Sequence, residues 1–137
     1  MKKILRFTRY LLLIAIIAGF SGCEKDTLTL LTDGEWQFSN LTTTSLNEDV
    51  QALVALGKAI MTDGTISFDQ DGTYIMDSPV IDAETGTYEL VGSQLIFNDG
   101  TVRTASIDEI TKDKLVYLET YIYLDTETYT IKYSWKR

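Results

Sequence analysis

The chain has 137 residues, with 12 Lys plus Arg, 20 Asp plus Glu, no His, one Cys and one Pro, and a net charge of −8. Without His, imidazole-dependent catalytic triads and His-based zinc sites are excluded, and one Cys allows neither an internal disulfide nor a paired-thiol metal or redox site. The acidic balance argues against nucleic-acid binding, which needs Lys and Arg laid along phosphates.

The first 22 residues differ from everything after them. Lys2, Lys3, Arg6 and Arg9 form a basic start, and Leu11 to Phe20 is an uncharged apolar run. That run is shorter than the roughly 20 residues of a membrane-spanning helix, and the order basic-then-apolar is that of a secretory signal. Phe20-Ser21-Gly22-Cys23 follows and resembles the lipobox of bacterial lipoproteins, with Phe20 in place of the usual Leu. The resemblance implies cleavage before Cys23 and lipidation of its thiol. Residues 1–22 are therefore expected as a lipoprotein signal peptide, 23–30 as lipidated Cys and tether, and 31–137 as one folded domain. Four of the 12 basic residues and none of the 20 acidic ones lie in the signal, so the remainder carries −12. That charge is repelled by anionic lipid, which leaves the acyl chains at Cys23 as the contact with the membrane. The absence of Asp directly after Cys23 resembles outer-membrane sorting. Lys25-Asp26 resembles in part the surface-export signal of Bacteroidota lipoproteins, so the periplasmic and surface-exposed faces both stay open.

After the anchor, turn signals recur at short intervals: Asp33-Gly34, Asp63-Gly64, Asp71-Gly72, Gly86, Gly92-Ser93, Asn98-Asp99-Gly100, Lys112-Asp113 and Asp125. Short runs rich in Thr, Tyr, Ile, Val and Phe lie between them, the pattern of successive hairpins. Trp36 and Phe38 share a face of the first strand. One segment, about 45–61, has apolar residues mostly at helical spacing, and Ser45-Leu46-Asn47-Glu48 fits a capping box. The strands then resume with Ile66 and Phe68, Tyr74 and Met76, Tyr88 and Leu90, and Leu95 and Phe97. Residues 102–110 follow as a less regular strand. From Leu115 to Leu124 one face carries Val116, Leu118, Ile122 and Leu124, and the other carries Leu115, Tyr117, Glu119, Tyr121 and Tyr123. This tyrosine ladder either packs across strands on a solvated face or binds a planar or sugar-like ligand or a protein. The last strand places Tyr129, Ile131, Tyr133 and Trp135 together. Eight antiparallel strands with short turns and few edge-protecting devices favour closure into an up-and-down barrel over an open sandwich.

The order of motifs resembles a family. Gly34-Glu35-Trp36 resembles the Gly-x-Trp motif of lipocalins. The hairpin from Thr65 to Tyr74 around Asp71-Gly72-Thr73 is similar to one in the lipocalin-like domain lipoproteins of Bacteroidota. Residues 85–90 with 95–97 and 110–116 are similar to the next two hairpins. The resemblance spans about residues 30 to 137. It implies an all-β, eight-stranded lipocalin-like (calycin-like) barrel with Trp36 and Arg137 at barrel closure. The helix between the first and second strands departs from the usual late helix, and its position suits the capping of one barrel end. The inner aromatics Phe68, Tyr74, Tyr88, Tyr129, Tyr133 and Trp135 either fill the barrel or line a pocket.

Catalytic chemistry is scarce. Asp69-Gln70-Asp71-Gly72 begins like a calcium loop, but the position that should supply a bidentate Glu is Val80. Asp82 and Glu84 are a carboxylate pair of the kind glycosidases use, without an aromatic platform nearby in sequence. The expectation is a non-enzymatic, lipid-anchored outer-membrane lipoprotein, monomeric, with no cofactor, metal or nucleic acid. Its partner is a small apolar or amphipathic ligand held in the barrel. The alternative is a filled barrel that serves as a structural module or binds an envelope protein.

Overall fold

Eight strands follow one another in sequence order around a closed antiparallel barrel: β1 (Trp36–Thr43), β2 (Thr65–Phe68), β3 (Thr73–Asp77), β4 (Glu84–Val91), β5 (Gln94–Asn98), β6 (Val102–Ile110), β7 (Lys114–Tyr123) and β8 (Glu127–Lys136). The computed structural model describes residues 26–137; the signal segment and Cys23 lie outside them. Each strand joins its neighbour by an antiparallel ladder, and β8 returns to β1 through the pairs Phe38 to Trp135 and Leu41 to Tyr133. This is the up-and-down topology that alternation and turn spacing predict. Gly86, one of the turn signals, lies instead inside β4 opposite Tyr74.

Among the described residues two helices accompany the barrel where the sequence predicts one. Residues 26–32 form a short helix, α1. Its Thr and Leu alternate like a strand or linker, but Leu28 and Leu31 sit three apart, on one helical face. Leu31 is fully buried, and Leu28 packs against the same core. The second helix, α2 (Glu48–Met61), is the predicted one. Its cap differs from the predicted box: Asn47, not Ser45, accepts from the amides of Asp49 at 2.9 Å and Val50 at 3.4 Å. Glu48 is then the first helical residue rather than the third, so it cannot complete a capping box. Ser45 turns to the barrel, accepting from the Asn47 amide at 3.1 Å and donating to Glu127 at 2.5 Å.

The connections define two ends. The β2–β3, β4–β5 and β6–β7 hairpins, α1, and the start of β1 beside the end of β8 form the closed end. The β3–β4, β5–β6 and β7–β8 turns and the long β1–β2 connection containing α2 form the mouth. β1 pairs with β2 at only two positions, Trp36 to Ile66 and Gln37 to Thr65. The rest of β1 is flanked by α2, whose Gly57 faces the Leu41 side chain so closely that an added Cβ would sit 3.1 Å from it. Val50, Val54 and Leu41 are buried, and the Phe38 amide donates to the Gly64 carbonyl at 2.8 Å to fix the helix exit. Among the described residues no helix is long and apolar enough to cross a membrane.

Candidate functional site

The closed half of the interior is built from rings. Ile66, Phe68, Tyr74, Tyr88, Leu95, Phe97, Leu115, Tyr117 and Trp135 all point inward and are buried. Phe68 meets Tyr88 edge-on at 5.1 Å and Phe97 meets Tyr74 edge-on at 5.0 Å, while Tyr117 stacks on Tyr133 at 5.0 Å. These are preferred aromatic geometries, and they make this half a packed floor.

The mouth half is polar. Arg103 on β6 points inward, and its Nη2 donates to Glu84 Oε1 of β4 at 2.6 Å. Tyr74 Oη donates to the same oxygen at 2.6 Å. The guanidinium lies 5.3 Å from the Phe97 ring centroid, a cation–π distance. Glu119 on β7 faces it, with Oε1 3.7 Å from Arg103 Nη1. Tyr121 Oη donates to Glu119 Oε2 and lies 3.3 Å from Tyr133 Oη. Tyr121 and Tyr129 stack at 5.7 Å, closer to the mouth. At the rim Tyr123 Oη donates to Asp49 of α2 at 3.1 Å, tying the helix across this end.

Burial sets the electrostatics. Glu119 is 3 % exposed. Desolvation pushes its carboxyl above the usual range, against the hydrogen bond from Tyr121 and the pull of Arg103. Burial opposes the charge on Arg103 too, but Glu119 and then Glu84 outweigh it and hold the guanidinium protonated. Burial, followed by Tyr133 and Glu119, raises Tyr121; burial, followed by Glu84, raises Tyr74. Both phenols therefore remain hydrogen-bond donors at neutral pH. Among the described residues three interior atoms are buried without a hydrogen bond, Tyr117 Oη, Trp135 Nε1 and Glu119 Oε1, the last of which meets Arg103 only through the 3.7 Å ion pair.

The family model for the lipocalin-like domain matches residues 32–117, more than half of the chain. The chain belongs to the lipocalin-like domain family. No curated relative matches it. The matched span ends at Tyr117, so Arg103 and Glu84 fall within it while Glu119, Tyr121, Tyr129 and Tyr133 lie beyond.

The lipocalin-like barrel divides the residues singled out from sequence. Phe68, Tyr74, Tyr88 and Trp135 lie in or beside the packed floor. Tyr129 and Tyr133 line the mouth half and stay partly accessible. Trp36 and Arg137 meet at the closed end, where Trp36 Nε1 donates to the Leu31 carbonyl at 3.0 Å. The tyrosine ladder is not on a solvated face: Tyr117 is fully buried and Tyr121 points into the barrel. Its opposite face turns outward, leaving Ile122 and Leu124 exposed. The larger rings turn inward because they fill the interior to native density, and Tyr121 Oη finds Glu119 and Tyr133 there.

Arg103 and Glu119 were not among the predicted site residues. The signal available was parity: Arg103 and Ala105 share a face, and Glu119 lies between Tyr117 and Tyr121 on theirs. The Asp69–Gly72 segment is a hairpin turn in which Asp71 accepts from Thr73. Glu84 serves Arg103 and Tyr74 rather than pairing with Asp82. Among the described residues no group of three or more Cys, Asp or Glu is placed to hold a metal ion. An open groove of about 360 Å³ beside the start of β2 is lined by Glu35, Asp63, Thr65, Asp77, Ser78 and Pro79, apart from this interior.

Proposed function

We propose that this lipocalin-like domain is a non-enzymatic binding protein that holds a small amphipathic molecule in the mouth half of its barrel. The observation that carries the reading is the contrast between the two halves. Rings of the closed half are buried, whereas Arg103, Glu84, Tyr121, Tyr129 and Ile131 face inward and keep accessible surface. An apolar floor beneath a few convergent polar groups is the usual composition of a small-molecule site. The neutral fluorophore N-phenyl-1-naphthylamine tests it. Saturable enhancement is expected, weakened about tenfold by Tyr129→Ala, the loss of roughly 1.4 kcal/mol of contact. No enhancement, or enhancement indifferent to Tyr129, would reject the reading.

The lipobox resemblance at Cys23 supports action at the cell envelope, with the barrel tethered to the outer membrane by acyl chains. Detergent-phase partitioning that is lost in Cys23→Ser is the expected result; equal partitioning of both forms would refute the anchor. The packed floor favours a second reading, a filled barrel acting as a structural or protein-binding module. Absence of probe binding together with intact folding would select it.

A further inference from the structure

The mouth half carries more negative charge than its one inward cation balances. Among the described residues Arg103 is the only Lys or Arg on the inward face of this half, since Lys132 is exposed on β8 between inward-facing neighbours. Its charge is engaged by both carboxylates: Nη2 donates to Glu84 Oε1, Nη1 lies 3.7 Å from Glu119 Oε1 in an ion pair without a hydrogen bond, and the guanidinium lies over Phe97. Glu119 is buried to 3 % exposure, yet its Oε1 accepts no hydrogen bond. Toward the rim the next groups are the stacked Tyr121 and Tyr129 rings, then Glu127 and Asp49. An anionic guest would have to displace Arg103 from two carboxylates. A cationic guest supplies the second positive charge and the hydrogen-bond donor to Glu119 Oε1 that Arg103 does not provide.

We propose that the barrel takes a compact organic cation, an aralkyl or alkyl ammonium, whose N–H group donates to Glu119 Oε1 while its apolar body lies against Tyr121, Tyr129 and Ile131. This rests on the proposed binding function and names its ligand class. Tyrosine faces attract cations, and a buried carboxylate accepting from an ammonium makes a charge-assisted hydrogen bond. The acidic rim adds attraction for a cation before it enters. Arg103 remains a positioning residue that holds Glu84 and Glu119 in place.

The test is calorimetric titration of the folded full chain at pH 7.5 with three probes of one shape: 2-phenylethylamine, 2-phenylethanol and phenylacetate. The amine is expected to bind at least about tenfold more tightly than the alcohol, and phenylacetate least tightly. Glu119→Gln is expected to lower amine affinity about tenfold or more and to leave the alcohol within about twofold. The wild-type ranking decides the matter even if that variant does not fold. Phenylacetate binding as tightly as the amine, or amine affinity unchanged in folded Glu119→Gln, would overturn the proposal. If none of the three binds while the neutral naphthylamine probe does, the cation reading fails and the binding reading stands. If the naphthylamine fails too, both fall.

Discussion

Arg137 lays its guanidinium over the indole of Trp36, 3.5 Å from guanidinium carbon to ring centroid. The contact joins the residue after the last strand to the first residue of the first. The same guanidinium donates to the Asp33 and Leu30 carbonyls, so one side chain closes the barrel and ties down the end of α1. Replacing Arg137 with Ala should cost about 1 to 3 kcal/mol, from the lost cation–π contact and two carbonyls left without a protein donor. Lys should recover only part of this, because an ammonium lacks the planar fork. Urea midpoints of the three proteins give the measurement; equal midpoints would show that the contact contributes nothing to closure.

The cap of α2 makes a second expectation. Asn47→Ala removes the acceptor for two helix amides and should destabilise by about 0.5 to 2 kcal/mol. Glu48→Gln should cost less, because Glu48 contributes only its charge at the positive end of the helix. A larger effect at Glu48 than at Asn47 in thermal melts would favour the capping box instead.

Gly86→Ala concerns sheet geometry. An added Cβ at Gly86 would collide with the Asn98 carbonyl oxygen and crowd the Asp99 Cα, both backbone atoms. Backbone cannot rotate away as a side chain can, so β4 and β5 must separate. A loss of about 1 to 3 kcal/mol is expected, with broadened NMR signals along both strands. A stable variant with unchanged shifts would contradict the close approach.

Glu119 governs the pH response. Its folded-state pKa is raised above the ordinary 4.5, so between those two values the folded chain binds more protons than the unfolded one. Stability from this group therefore falls as pH rises through that window and returns as pH falls. The groups facing Glu119 are Arg103 of β6, Glu84 of β4, Tyr117 and Tyr121 of β7, and Tyr133 of β8. Glu119→Gln, which cannot ionise, should gain on the wild type at pH 7.5 and lose that gain as the pH approaches 4.5. Denaturation at both pH values checks this; a difference independent of pH would exclude Glu119 as the titrating group.

The barrel was legible because its evidence is local. Alternation in residues such as Ile66 and Phe68, and turns such as Asp71-Gly72, are set by neighbours one or two positions away. Helix α2 was legible for the same reason, although choosing between Ser45 and Asn47 as cap depended on Glu127, 82 positions from Ser45. The polar interior was not legible. An Arg on an irregular strand and a Glu among tyrosines read as solvated until closure brings β4, β6 and β7 around one space. Two register shifts, at Phe38/Asn40 and Ile107/Glu109, also interrupt the alternation. Which tyrosine face turns inward is likewise settled by the whole ring of strands.

The short β1–β2 ladder makes the barrel mechanically uneven. Ten paired positions join β7 to β8, against two joining β1 to β2. A cylinder zipped so unequally has a seam, and local opening starts where the fewest bonds must break. In hydrogen exchange, amides along the β2-facing edge of β1 and in α2 should exchange before those of β7. The slack needed for anything to enter the barrel then lies in one wall, and the polar cluster on the other strands can stay assembled while that wall parts.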